Sequence, residues 1–309
     1  MGATLGLART GVLGYLKKNR YMYLMILPGV VWLIIFQYVP IYGIVMAFQN
    51  FSFRRGYFGS EWVGFQHFIW LFENPTFVRA FRNTWIINAM RIVFGFPAPI
   101  ILALLLNEVR HIRFKRSVQT ISYLPHFISW VVLAGIFNTF LARDTGAVNN
   151  FLAILGLGRV DFLQSDQVFR WTLVFTNIWK TVGWGTIIYL AAIAGVSPEL
   201  YESAVVDGAN RLQQAVYITL PAIASTIIVV LILNLGNILV VGFDQVYNLY
   251  NPLVYRSGDI IQTYIVRSLS TNPNFSRLAA AGLVQSLIGM FLLMGANRSV
   301  RLFGREGIY

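Results

Sequence analysis

Six long apolar runs alternate with polar stretches along the chain. They occupy 22–48, 84–106, 118–141, 169–193, 222–247 and 278–295. About twenty apolar residues in helical form cross a hydrocarbon core, and only a helix or a closed barrel satisfies its backbone there. Each run therefore predicts a transmembrane helix. The Pro, Gly, Asn and charged residues that mark turns fall between the runs. Lys17, Lys18 and Arg20 precede the first run as they would in a signal peptide. That run is too long for a signal core and ends in no small-x-small site, so it is expected to stay as the first span. The predicted fold is all-α and membrane-embedded. Residues 1–21 form a leading segment, 22–299 a six-span domain and 300–309 a tail.

Charge sets the expected orientation. Six spans put both termini on one side. That side would hold twelve basic residues, including Lys17, Lys18 and the short loop with Arg110, Arg113, Lys115 and Arg116. The other side would hold ten, spread over longer loops at 49–82, 142–168 and 248–277. The density of positive charge near span ends predicts both termini in the cytoplasm, N-in and C-in. Composition agrees with a membrane protein: 57% of the 309 residues are hydrophobic, 12% are charged, and mean hydropathy is +0.63. The net charge of +12 fits cytoplasmic flanks and anionic membrane lipid; no nucleic-acid partner is expected. There is no cysteine, and His67, His111 and His126 are too dispersed for a metal-ligand spacing.

One polar stretch stands apart. Residues 202–221 read ESAVVDGANRLQQAVYITLP, between the fourth and fifth runs. The orientation places it in the cytoplasm. Pro198 breaks the chain after the fourth run, and Ser197 is the expected N-cap. Glu199, Glu202 and Asp207 lie in a short helix where carboxylates favour the N-terminal dipole. Gly208 permits a sharp bend. Residues 209–219 then resume a helix with Leu212, Ala215, Val216 and Thr219 along one side, and Pro221 is expected to open the fifth span. Helix, glycine corner and helix form a lever joined to a span.

The spacing of Glu202, Ala204, Gly208, Ile218, Leu220 and Pro221 resembles the EAA loop of ABC-importer permeases, with Ser203 where that family usually has alanine. The six runs match the type I importer permeases, the group of the maltose transporter's membrane subunits. Leu27–Pro28–Gly29, the 94–99 stretch FGFPAP, Tyr123–Leu124–Pro125–His126, the 179–185 stretch WKTVGWG and the 248–252 stretch NLYNP are similar to the LplB-type polysaccharide permeases, the group that includes the first permease subunit of the bacterial alginate importer. The resemblance implies a type I ABC importer permease fold with a cytoplasmic coupling helix in 197–221. It implies a multi-pass protein of the bacterial inner membrane, paired with a second permease subunit in a heterodimer. Two ATPase subunits and an extracytoplasmic solute-binding protein would complete the assembly. Glu202, Ser203, Ala204, Asp207, Gly208, Ile218, Leu220 and Pro221 would form the ATPase-coupling surface. The implied cargo is an oligo- or polysaccharide, with an anionic, alginate-like one suited to the basic outer loops at Arg54, Arg55, Arg79 and Arg82. Those arginines suit docking of an acidic binding protein equally well.

The chain carries no phosphate loop. Its only Lys–Ser/Thr pair is Lys180–Thr181, preceded by Trp179 rather than Gly. ATP and Mg are therefore expected on the partner ATPase subunits, with no cofactor, metal or catalytic residue on this chain, which is not expected to be an enzyme. The 181–185 stretch TVGWG resembles a potassium filter, but it lies inside an apolar run and beside a lysine; small residues there are expected to permit close helix packing. Polar groups within spans usually face the bundle interior. They are Asn88, Arg91, Asn138, Asn177, Lys180, Asn234, Asn237, Asp244, Gln245 and Gln285. Interhelical hydrogen bonding explains any one of them equally, and Lys180 and Asp244 have the option of pairing with each other. Lys180, Asn234, Asn237, Asp244 and Gln245 are the candidates for the substrate pathway. A self-sufficient secondary solute carrier is the alternative; it needs no ATPase.

Overall fold

A computed structural model describes residues 12–236, 242–271 and 273–302. The chain divides into two compact units, Met1–Phe68 with Phe275–Ala280, and Ile69–Asn274 with Ala281–Tyr309.

The first unit is built on α1, Arg20–Phe48, whose most apolar stretch is wholly unburied. A helix that is apolar all round and uncovered is suited to lipid as its solvent. A two-residue strand pair follows: β1 (Gln49–Asn50) runs antiparallel to β2 (Glu61–Trp62), with Gln49 opposite Trp62. The Phe51 N–H donates to Ser276 Oγ at 2.9 Å, and Phe53 meets Phe275 edge-on at 4.9 Å.

The second unit contains the remaining long helices, except that the last begins with the Phe275–Ala280 stretch of the first unit. Helix α2, Pro75–Glu108, starts nine residues before the apolar run. Asn74 explains the difference: its side chain accepts from the N–H groups of Thr76 and Phe77, with Pro75 at the first helical position. Helices α3 (Ile112–Phe127) and α4 (Trp130–Phe140) meet at a 108° bend. The apolar run 118–141 is thus a broken pair rather than one straight helix. Pro125 and the Ser129 N-cap, whose Oγ accepts from Val132 N–H at 3.4 Å, set the break inside an apolar sequence. Helix α5 is Ala147–Ile154. Helix α6, Phe169–Ala194, packs on α2 and α3. It turns through 74° into α7, Pro198–Val206. Helix α8, Arg211–Ala222, bends by 65° into the next helix, α9, Ala224–Gly236. Helices α10 (Phe243–Leu249), α11 (Ile261–Thr271) and α12 (Phe275–Leu302) complete the chain. Among the described residues, three helices are singly long and apolar enough to cross a membrane, and up to six spans result if each bent pair counts as one.

Three prolines inside helices share one device. The wide turns Ile34–Tyr38, Arg91–Gly95 and Ala215–Thr219 each end two residues before a proline, namely Pro40, Pro97 and Pro221. Proline cannot donate to the carbonyl four residues back and clashes with it; widening the turn by one residue relieves both problems. Pro221 therefore lies one residue before the end of α8, at the 65° bend into α9; it had been expected to open the fifth span.

Glycine sets the closest approach. A Cβ on Gly183 would collide with the Ser122 backbone, and one on Gly185 would stand 3.1 Å from Pro99 Cβ. The filter-like stretch is a packing groove. In lipid no hydrophobic force draws apolar helices together, so such close packing is what holds them. At one end of α6, Arg170 donates to Asn83 Oδ1 at 2.8 Å and to the Ser257 carbonyl at 3.1 Å, and Asn83 donates to the Arg256 and Asp259 carbonyls. The buried Asp259 carboxylate takes a bidentate bond from Arg267 at 2.9 and 2.6 Å. These bonds clamp the 255–271 segment onto α2 and α6.

Replacing Gly183 by Ala should lower the thermal midpoint of the purified protein by the equivalent of about 1–3 kcal/mol, the usual cost of overpacking. Gly282→Ala, where nothing lies within 4 Å, should not. Equal losses in both variants would contradict the packing role.

Candidate functional site

The 197–222 stretch folds into a rigid knee. Pro198 occupies the first position of α7 with Glu199 in its first turn. Ser197 has the N-cap place, but its side chain accepts no cap bond; the Leu200 N–H reaches the Ser197 carbonyl instead, at 3.3 Å. Proline's fixed φ starts this helix without a side-chain cap. The helix closes through paired backbone bonds: Gly208 N–H to Val205 at 3.1 Å, and Ala209 N–H to Ala204 at 2.8 Å. This closure requires a left-handed residue, and Gly208 supplies φ +78°. A Cβ there would meet nothing within 4 Å, so backbone conformation rather than space demands glycine.

The second arm starts at once. Asn210 accepts from Gln213 N–H at 2.9 Å, and Gln213 accepts from Asn210 N–H at 2.8 Å, a reciprocal capping box. The Tyr201 hydroxyl meets Thr219 Oγ1 at 3.0 Å and ties the arms together. An ion pair between Arg211 and Glu108 joins the knee to the end of α2. Ala204 is buried, while the Ser203 hydroxyl donates to the Leu200 carbonyl at 3.1 Å; serine thus satisfies its own hydroxyl where alanine would need nothing. Outward, the knee shows apolar side chains. Val206 is 87% exposed, Leu212 74% and Tyr217 75%, beside the exposed carboxylates of Glu202 and Asp207. A cleft of about 450 Å³ opens in its crook, lined by Leu200, Ser203, Ala204, Gly208, Gln213 and Ile218 among others. Leu220 is half-buried and Pro221 exposed.

A second feature lies among the helices. A cleft of about 240 Å³ is lined by Asn88, Phe96, His126, Asn177, Trp184 and Asn234, with Arg91 beside them. The rings of His126 and Trp184 stack 4.5 Å apart and 3° from parallel. The Asn177 side chain has no hydrogen-bond partner among the described residues. Aromatic faces with amide donors and acceptors are a chemistry that takes the apolar and hydroxyl faces of a polar ring.

Comparison with known proteins identifies the family. The family model for the inner-membrane component of binding-protein-dependent transport systems matches residues 95–305. The chain belongs to this family. It is 46% identical over 95% of its length to the polygalacturonan/rhamnogalacturonan transport system permease protein YteP of Bacillus subtilis, covering 92% of that protein. It is 44% identical, with the same coverage, to protein LplB of Bacillus subtilis. A chain in the crystal structure of a bacterial alginate ABC transporter in complex with an alginate pentasaccharide-bound periplasmic protein superposes with TM-score 0.88 at 42% identity, over 96% of this chain and 99% of that one. This permease is therefore an inner-membrane protein of the type I ABC fold.

The permease distributes its predicted pathway residues unevenly. Asn234 lines the helix-bounded cleft together with Asn88, Asn177 and Arg91. Gln245 is fully buried next to it: it accepts from Arg91 and donates to Thr176 Oγ1 and the Leu173 carbonyl at 2.7 Å. Asp244 is exposed on α10. Asn237 lies outside the described residues. Lys180 does not pair with Asp244; its ammonium donates to the carbonyls of Pro125 at 3.1 Å, His126 at 2.9 Å and Ile128. The α3–α4 break frees the His126 and Ile128 carbonyls, while the Pro125 carbonyl also accepts from the Ile128 N–H at 3.2 Å. The stacked His126–Trp184 pair escaped the sequence reading, because an aromatic in an apolar span looks like any packing residue.

Lys180→Met should leave the His126 and Ile128 carbonyls unsatisfied and lower stability by about 1–3 kcal/mol per orphaned group, less whatever water restores. Lys180→Arg should retain most of the midpoint. A Met variant as stable as the parent by thermal unfolding in detergent would refute the capping role.

Proposed function

We propose that this chain is one membrane subunit of a binding-protein-dependent ABC importer for oligo- or polysaccharides. The observation that carries the reading is the knee. It is a polar, capped, doubly tied corner that nevertheless exposes Val206, Leu212 and Tyr217. A rigid apolar knuckle outside the spans is a surface made for a protein partner. Its family implies an ATPase subunit as that partner.

In this reading each bent pair counts as one span, giving six within 22–299, with both termini and the 197–221 segment in the cytoplasm. The basic flanks support that orientation. Glu202, Ser203, Ala204, Asp207, Gly208, Ile218, Leu220 and Pro221 make or shape the docking surface. ATP and Mg reside on two ATPase subunits, so hydrolysis happens off this chain. A second permease subunit completes the pathway as a heterodimer, and an extracytoplasmic solute-binding protein delivers cargo. Closure of the ATPases pushes the knee. Helix α7 continues from α6 through a three-residue link, so the push reaches the helix that carries Asn177 and Trp184. The names of the relatives, polygalacturonan, rhamnogalacturonan and alginate, support an acidic polysaccharide as cargo class.

Glu202→Lys should abolish co-purification of the ATPase subunit with the permease and cargo-stimulated ATP hydrolysis, while leaving the thermal midpoint within about 0.5 kcal/mol-equivalent of the parent, as for other surface changes. Gly208→Val should cost at least about 1 kcal/mol through left-handed strain and uncouple hydrolysis from transport. Normal coupled transport by both variants would sink the proposal.

A further inference from the structure

A separate cavity of about 390 Å³ lies at the other end of α6 from the knee. It is lined by Arg82, Asp166, Gln167, Arg170, Arg256 and Ser257. Three arginines thus converge on one small space that holds a single carboxylate. Arg170 is committed, through its bonds to Asn83 and Ser257. Arg82 and Arg256 are exposed, and neither guanidinium has a hydrogen-bond or ion-pair partner among the described residues. Arg82 is near enough to Arg170 for the like charges to repel, and Asp166 near enough to attract it. Asp166 Oδ1 is itself buried without a partner. The pocket therefore keeps an uncompensated positive charge and two unused guanidinium forks. A guanidinium fork matches a carboxylate bidentately.

The position of the pocket relative to the helix-bounded cleft narrows what it does. Residues 170, 177 and 184 on α6 are spaced by sevens and share one face. Arg170 lines the arginine pocket, and Asn177 and Trp184 line the cleft. Fourteen residues of helix separate Arg170 from Trp184 by about 21 Å. The same helix face thus presents a cationic station at one end and an aromatic–amide station toward the middle.

We propose that the Arg82–Arg170–Arg256 pocket is an entry subsite that binds the carboxylate of a uronic acid residue before the sugar reaches the cleft. This rests on the importer reading and narrows its cargo to acidic saccharide. Arg82 and Arg256 supply the forks, Arg170 holds the pocket's shape and field, and Asp166 limits affinity so that the cargo leaves again.

The test uses the full-length permease with its partner subunits in lipid nanodiscs, titrated calorimetrically with trigalacturonate and with neutral galactotriose. The parent should prefer trigalacturonate, and added salt should erase the preference. The double variant Arg82→Gln with Arg256→Gln should weaken trigalacturonate binding at least about tenfold, the worth of one charge-assisted bond, and leave galactotriose unchanged. Asp166→Asn should tighten trigalacturonate binding. Unchanged trigalacturonate binding in the double variant would overturn the subsite. So would a double variant that loses only affinity for the solute-binding protein, since the carboxylates would then belong to that protein. Capture of the ATPase subunit is measured in parallel. If the parent fails to capture it, the importer reading fails; if capture is normal and the carboxylate preference is absent, only the subsite fails.

Discussion

Three backbone carbonyls at a helix break, with one lysine donating to them, are the interaction on which this membrane fold turns. In hydrocarbon an unsatisfied carbonyl has no water to fall back on. A 108° bend between α3 and α4 frees the carbonyls of His126 and Ile128, and Lys180 from α6 donates to both and to the Pro125 carbonyl, which the Ile128 N–H also reaches. The arrangement also solves the lysine's own problem, because a charged group among spans needs partners. Its ammonium lies 5.5 Å from the centre of the Trp130 ring as well, a further favourable contact for a buried cation. The break places His126 against Trp184 and so shapes the cleft.

The same constraint recurs at each irregularity. Wide turns precede Pro40, Pro97 and Pro221 and absorb the lost bond. Gly208 closes α7 by left-handed backbone bonds, and Asn210 reopens the chain as a capped helix. Gly242 at φ +105° stands where a Cβ would strike the Arg91 guanidinium, which bonds Gln245. The result is a spine: α6 is clamped at one end by Asn83 and Ser257, fixed in its middle by Lys180, and bent at the other end into the knee. A displacement at the knee has few soft joints in which to dissipate before it reaches the cleft.

Much of this was legible in the residues. Apolar length marked the helices because lipid leaves no other solution, and Gly208 with Pro198 marked the knee because backbone geometry demands those residue types. The Asn74 cap of α2 was missed because hydropathy reads the apolar stretch and not the polar turns that precede it. The break at Ser129 was missed for the converse reason: Ile128 and Ser129 are apolar or small, and only the bend itself exposes the carbonyls to which Lys180 donates. Asn88, Asn177 and Asn234 were recognisable as interior polar groups, yet their convergence on one cleft depends on the rotation of three helices. Gln245 and Lys180 show the limit most clearly. Both are costly polar residues in apolar runs, and the structure gives each a set of hydrogen-bonding partners that no spacing reveals. Arg82, Arg170 and Arg256 lie up to 174 positions apart in sequence and meet only through the fold.

In the proposed importer the knee faces the cytoplasm and carries an ATPase subunit. The chain has no cysteine, so a single Val206→Cys substitution gives a unique thiol at the most exposed apolar position of the knee. In intact cells with the cognate transporter, this thiol should resist a membrane-impermeant maleimide. A short thiol-to-amine cross-linker should join the permease to the ATPase subunit. Labelling from the outside, or the absence of any cross-link to an ATPase subunit while the protein is folded and in the membrane, would contradict the proposal.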